Sequence, residues 1–225
     1  MKIGILITGH PPEELAENGS YDQYFQRLLG ENDLSYEAWS VVDGELPSNA
    51  DEADGWIITG SKHGAYEPHA WIPPLEQFIR DCYDAHVPMI GICFGHQIIA
   101  QAMGGKVVKF DGGWSVGRVQ YEIEGETYAI NAWHQDQVVE RPESAKVVGS
   151  TDFCANAALL YDDRIWTLQP HPEYGHDFID GLLTHRGKGV VPEDQLDAAR
   201  QQLGAPLDQS KIASQMIEFL RKERA

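Results

Sequence analysis

The chain is predicted to adopt an α/β fold, a mostly parallel sheet flanked by helices with an additional small mixed or antiparallel β region. Short, wholly apolar runs that end at Gly, Ser or Thr alternate with segments of helical periodicity in the N-terminal half, as expected of parallel strands buried on both faces. Over residues 107–169 the segments shorten and alternate between apolar and polar residues, which is the pattern of mixed or antiparallel pairing.

Residues 3–7 read as the first buried strand, and residues 56–59 and 88–92 repeat the same pattern. Leu75, Phe78, Ile79, Cys82 and Tyr83 recur at three and four residues after Pro73-Pro74, so an amphipathic helix is expected there. Residues 119–123, 146–148, 159–161 and 165–168 read as short strands separated by Gly, Asp and Asn. The tail beyond Asp177 is expected to be mostly helical, with Ile212, Met216, Phe219 and Leu220 forming a stripe that docks on the sheet. No repeat or interdomain linker interrupts the pattern. Residues 1–225 are therefore expected to form a single domain, since a core of this size grows without splitting.

With 42% apolar and 23% charged residues, the chain has enough hydrophobic content to offset the entropy of folding. A formal net charge of −18, with no Lys/Arg-rich run, would repel a polyanion, so nucleic acid is not an expected partner. The opening apolar run is too short for a signal-peptide core and no stretch approaches the ~18 apolar residues of a spanning helix, so a cytoplasmic protein with no membrane partner is expected. Cys82, Cys93 and Cys154 lack CxxC spacing and read as free thiols. The nine histidines show neither H-E-x-x-H nor a Cys/His zinc pattern, so no metal and no other cofactor is expected.

The segment Gly91-Ile92-Cys93-Phe94-Gly95-His96-Gln97 follows an apolar strand and opens a helix. Small residues on either side of a nucleophile allow the strained strand-to-helix turn that holds its reactive atom clear of the sheet. The helix N-terminus beyond Cys93 favours a thiolate. The N–H of Phe94 is the natural first donor of an oxyanion hole, and Gly60, in Thr59-Gly60-Ser61 at the end of a strand, is the candidate second donor. In Gln169-Pro170-His171-Pro172-Glu173 two prolines disfavour helix. In extended chain Glu173 can reach one imidazole nitrogen of His171 while the other faces Cys93.

The elbow and the His171-Pro172-Glu173 segment together resemble the class I glutamine amidotransferase family, over about residues 3–174. The resemblance implies a flavodoxin-like sheet and hydrolysis of a γ-glutamyl amide through a thioester, with Cys93 as nucleophile, His171 as base and Glu173 as orienting acid. It also implies that Gln97 lines the site, and that His134, Gln135 and Asp136 help to hold the glutamyl amino and carboxylate groups. The spacing of the elbow from Thr59-Gly60-Ser61 is similar to that in stand-alone members and in γ-glutamyl peptidases. About fifty residues follow Tyr174, too few for a synthetase domain of typical size. The expected acceptor is therefore water or the substrate of a separate ammonia-acceptor subunit, and the alternatives to a free-standing hydrolase are an ammonia-supplying glutaminase subunit of a two-chain synthetase and a catalytically silent binding or regulatory protein.

Overall fold

The apolar runs become the centre of one large sheet in the computed structural model, which describes residues 1–30 and 33–223. Strand β1 (Lys2–Ile7) pairs on one side with β2 (Ser35–Ser40) and on the other with β3 (Gly55–Ile58). Strand β4 (Met89–Ile92) lies between β3 and a late strand, Ile165–Leu168, here β11. All of these pairings are parallel. The order β2-β1-β3-β4-β11 then continues through β10 (Ala158–Tyr161), β9 (Ala145–Ser150), β6 (Ser115–Ile123) and β7 (Glu126–His134), paired antiparallel. Strands β5 (Lys106–Lys109) and β8 (Asp136–Glu140) form a separate antiparallel pair. Most of the expected antiparallel region is thus an extension of the main sheet, and only the β5/β8 ribbon stands apart.

Side chains of the central strands divide between two cores by the two-residue period of a strand. Ile57, Ile90 and Ile92 enter the core on one face, with Phe25 and Leu29 of α1 (Tyr21–Leu29) and Ile212, Met216 and Leu220 of α6 (Gln209–Arg221). Trp56, Ile58 and Met89 enter the opposite core, with α2 (Ile72–Asp84) and α3 (Phe94–Ala102). The stripe on the last helix docks as expected, with Phe219 tilted against Trp166 at 6.1 Å between ring centroids. A third cluster joins α4 (His176–His185) and α5 (Glu193–Gln201) to Tyr21, Tyr24 and Tyr174. Strand β2 has no fully buried residue, so it carries none of the apolar signal that marks its neighbours.

Because five neighbouring strands are parallel, the ends of β1, β3, β4 and β11 all open at one edge of the sheet. Ligand sites of open α/β sheets form at that edge, and the ends of β3, β4 and β11 lead into the segments singled out from the sequence, Thr59-Gly60-Ser61, the turn at Cys93 and residues 169–173. Among the described residues, no helix is long and apolar enough to cross a membrane.

Candidate active site

Cys93 joins β4 to α3 with φ 53° and ψ −102°, a conformation that costs a non-glycine residue about 1–3 kcal/mol. Both of its backbone groups are engaged. Its N–H donates to the Leu168 carbonyl at 2.8 Å, and its carbonyl accepts from the Gln97 N–H at 3.0 Å. The flanking glycines serve by clearance. A Cβ on Gly91 would lie 2.5 Å from Ile99 Cδ1 and 2.6 Å from the Gly95 carbonyl carbon, and one on Gly95 would lie 2.4 Å from the Ile58 carbonyl oxygen. The start of α3 therefore rests directly on the ends of β3 and β4, and any side chain at either position would lift it.

The end of β11 brings the second segment to the same point. The His171 N–H donates to the Asn131 carbonyl at 2.8 Å, forming an isolated bridge to β7. Asn131 Nδ2 in turn donates to the Tyr174 carbonyl at 2.8 Å. His171 Nδ1 and Glu173 Oε1 are 2.7 Å apart, with side chains only 3% and 1% exposed. Cys93 and the imidazole line the same cavity, close enough for Cys93 to influence the ring. Burial by itself disfavours the imidazolium, but the Glu173 carboxylate, with a smaller contribution from neighbouring Cys93, outweighs it and raises His171 to about 10.

Two further residues fix the imidazole plane. Tyr174 stacks on it at 4.0 Å between centroids with 8° between planes, and its own ring is tilted against Tyr21 at 6.2 Å. On the Gly60 side a Cβ would lie 2.9 Å from His171 Cε1, so the turn after β3 approaches the ring only because residue 60 has no side chain. That turn is tied to β1 by Thr8 Oγ1, which donates to the Thr59 carbonyl at 2.9 Å, and by Ser61 Oγ, which donates to the Thr8 carbonyl at 2.7 Å. The roles of Tyr174, Tyr21 and Asn131 are not legible in the sequence, where the only signal is an aromatic residue directly after Glu173.

Cys93, Gln97, His134, Gln135, Asp136 and His171 line one cavity of about 520 Å³. Phe94 supplies the first residue of α3 and its ring is buried against Trp71 at 5.5 Å. Gln97 acts as a brace, its Nε2 donating to the Asp136 carbonyl at 2.9 Å and to Gln169 Oε1 at 3.1 Å. His134 is buried, and burial together with the nearby charge of His171 pushes it down to about 3, so its ring is neutral. Gln135 Nε2 donates to the Phe110 carbonyl at 3.4 Å. Burial raises the Asp136 carboxyl, partly opposed by a hydrogen bond from Tyr66.

His63, Tyr66 and Trp114 line the cavity, whereas Arg118 turns away and donates to the Pro206 carbonyl at 2.9 Å. Cys82 and Cys154 are fully buried and desolvation pushes both thiols up, Cys154 to about 12, so neither is placed for nucleophilic chemistry. The cavity wall carries Lys62, Lys109 and Arg186 as well as Glu13, Glu67 and Asp136. On a chain with a net charge of −18, that even balance makes the cavity wall less acidic than the chain as a whole.

A family model described as glutamine amidotransferase class-I matches residues 15–183. The chain belongs to this family. It is 33% identical to gamma-glutamyl peptidase 4 of Arabidopsis thaliana over 197 residues, covering 80% of this chain and 78% of that protein. It is also 33% identical over 242 residues to a glutamine amidotransferase-like protein of Schizosaccharomyces pombe, covering 97% of this chain and 98% of the other. A solved glutamine amidotransferase from Methylobacillus flagellatus shares the fold of this class I amidotransferase with a TM-score of 0.76 at 18% identity, covering 100% of this chain and 97% of that one.

Proposed function

We propose that this amidotransferase hydrolyses the γ-glutamyl amide bond of a small γ-glutamyl compound, with Cys93 as nucleophile, His171 as base and Glu173 as orienting acid. The observation that carries this reading is the imidazole of His171, held at 2.7 Å by buried Glu173 and sharing with Cys93 the wall of an open cavity.

In this scheme His171 takes the proton of the Cys93 thiol and the sulfur attacks the γ-carbonyl carbon. The oxyanion that forms is held by the backbone N–H groups of Phe94 and Gly60, and the segment His134-Gln135-Asp136 with Gln97 holds the glutamyl end. His171 then gives its proton to the leaving nitrogen, the C–N bond breaks, and a γ-glutamyl thioester remains on Cys93. Water, deprotonated by His171, attacks the thioester, and breaking of the C–S bond releases the γ-carboxylate and restores the thiol.

A cavity of about 520 Å³ falls in the range that holds drug-sized ligands, and glutamine would fill only part of it. Together with the likeness to a gamma-glutamyl peptidase, this favours a γ-glutamyl peptide or amide over glutamine, and water as acceptor over a partner subunit. The test is amine or ammonia release from glutamine beside a panel of γ-glutamyl amides and peptides, with Cys93→Ala as blank. A panel compound should be cleaved at a higher kcat/KM than glutamine without any added protein. Glutamine as best substrate, with activity that rises only when a second protein is present, would replace this reading with that of an ammonia-supplying subunit.

Glu173→Gln should lower kcat by about 10²–10⁴-fold, by analogy with loss of the orienting carboxylate in other triads. Removing the carboxylate charge removes the main influence holding His171 up. The proton that stabilises the ion pair with Cys93 is then lost at lower pH, so the alkaline limb of the pH–rate profile should move toward acid. A limb left in place, measured on kcat/KM from neutral to alkaline pH, would contradict the role given to Glu173.

A further inference from the structure

The turn that follows Gly60 carries a second cluster of side chains that the hydrolytic scheme does not use. His63 Nδ1 and His69 Nε2 face the same oxygen, Glu67 Oε2, at 3.3 and 2.7 Å. The two imidazoles are 4.2 Å apart between centroids at 69°. The three ligand-type atoms all lie within 4.8 Å of one another. From these positions we propose that His63, Glu67 and His69 form a binding site for a divalent transition metal of the zinc class, at the wall of the cavity that contains Cys93.

Zinc takes imidazole nitrogen and carboxylate oxygen at about 2.0–2.2 Å, which places tetrahedral ligands roughly 3.3 Å apart. The His63 to Glu67 separation of 3.3 Å already matches that spacing. The His69 to Glu67 contact has to open by about 0.6 Å, a rotation of one half-exposed carboxylate. An imidazole pair offers this metal its preferred nitrogen donors, and the carboxylate supplies negative charge. Three protein ligands leave a fourth position for water or a ligand.

The cluster is held in place by its own turn. The Glu67 N–H donates to the Gly64 carbonyl at 3.0 Å, the His69 N–H to the Glu67 carbonyl at 2.9 Å, and the His63 N–H to Ser61 Oγ at 3.1 Å. His69 stacks on Trp71 at 5.6 Å with 9° between planes, and Trp71 rests on Phe94. The imidazoles are thus oriented by packing, the condition for metal binding without a large ordering cost. Lys62 opposes a cation here, whereas Asp136 lies close enough to influence Glu67 and favours one. His63 and Glu67 line the same cavity as Cys93, so an ion held by them would sit in the wall of the proposed substrate site.

The test is titration of tag-free Cys93→Ala protein with Co²⁺, a coloured stand-in for zinc. Removing the thiol eliminates binding at Cys93 itself and makes the result independent of the hydrolytic scheme. One Co²⁺ per chain, with the visible absorption of a low-coordinate nitrogen and oxygen site and displacement by Zn²⁺, is the expected result. Adding His63→Ala and His69→Ala to that background should weaken binding by at least tenfold, and adding Glu67→Gln alone, the more conservative change, should weaken it too. Circular dichroism of the metal-free variants checks their fold. Equal binding by the parent and by both folded variants, or no saturable binding by the parent, would overturn the proposal.

Discussion

Replacing Cys93 by alanine is expected to lower turnover of γ-glutamyl substrates by on the order of 10⁴-fold or more. The same change should abolish the single covalent adduct that a glutamine-like electrophile leaves on the wild-type chain. The size of the effect follows from what is removed. Without sulfur no thioester can form, and His171 keeps its bond to Glu173 but loses the group whose proton it takes. Intact mass after labelling gives a sharp reading, because Cys82 and Cys154 are fully buried and their thiols are held protonated by desolvation. One adduct on wild type and none on Cys93→Ala is the expected pair of masses. Residual turnover within tenfold of wild type would remove Cys93 from the mechanism.

The second large effect concerns stability. Gly95→Ala should destabilise the fold by about 2–4 kcal/mol, at the upper end of what overpacking costs. For a chain of this length that is a fall in Tm of about 5–15 °C. The added methyl group would sit 2.4 Å from the Ile58 carbonyl oxygen and 3.0 Å from its carbonyl carbon. These are backbone atoms of a central strand and cannot swing aside. Relief requires α3 to move off β3, and that helix buries Phe94, Ile98, Ile99 and Ala100. Since the same movement displaces the residue that follows Cys93, electrophile labelling should also slow at temperatures where the variant is folded. Gly104→Ala is the contrasting case. Its φ of 94° imposes backbone strain, but no atom lies within 4 Å of the new Cβ, so a loss of about 1 kcal/mol is expected there. Thermal melts of the two variants side by side separate close packing from backbone strain, and equal Tm values would refute the packing argument.

The parts of the fold most legible in the sequence are those where one physical requirement dominates. Strands β3 and β4 are buried at every position, so they appear as uninterrupted apolar runs, and α6 appears through its docked stripe. Among the described residues strand β2 pairs with one neighbour, and its six residues are exposed or half-buried, so nothing in its composition marks it. Of the antiparallel strands, β9, β10 and the second half of β6 are legible as short segments, whereas β5, β7 and β8 are not, and neither is the fusion to the main sheet through β10 and β11. Strand partners lie far apart in the chain, and alternation states which face is buried without stating what it pairs with.

The candidate site divides in a similar way. Cys93, Phe94 and the flanking glycines lie within one local turn, whose chemistry and sterics can be read from neighbouring letters. His171 and Glu173 are two residues apart in extended chain, so their pairing is local too. The stack of Tyr174 on His171, the bracing of His134-Gln135-Asp136 by Gln97, and the burial that keeps His134 neutral all depend on residues distant in sequence. So does the convergence of His63 and His69 on Glu67, which no ligand spacing announces.

By itself, the sequence determined the sheet's buried strands, the turn at Cys93 and the pairing of His171 with Glu173, because burial, steric clearance and short extended spacing act between near neighbours. Only the tertiary structure decided which groups share the cavity, how the rings are oriented and which ionisable groups are charged. Those outcomes depend on desolvation and on contacts between strand ends that meet only when parallel pairing brings them to the same edge.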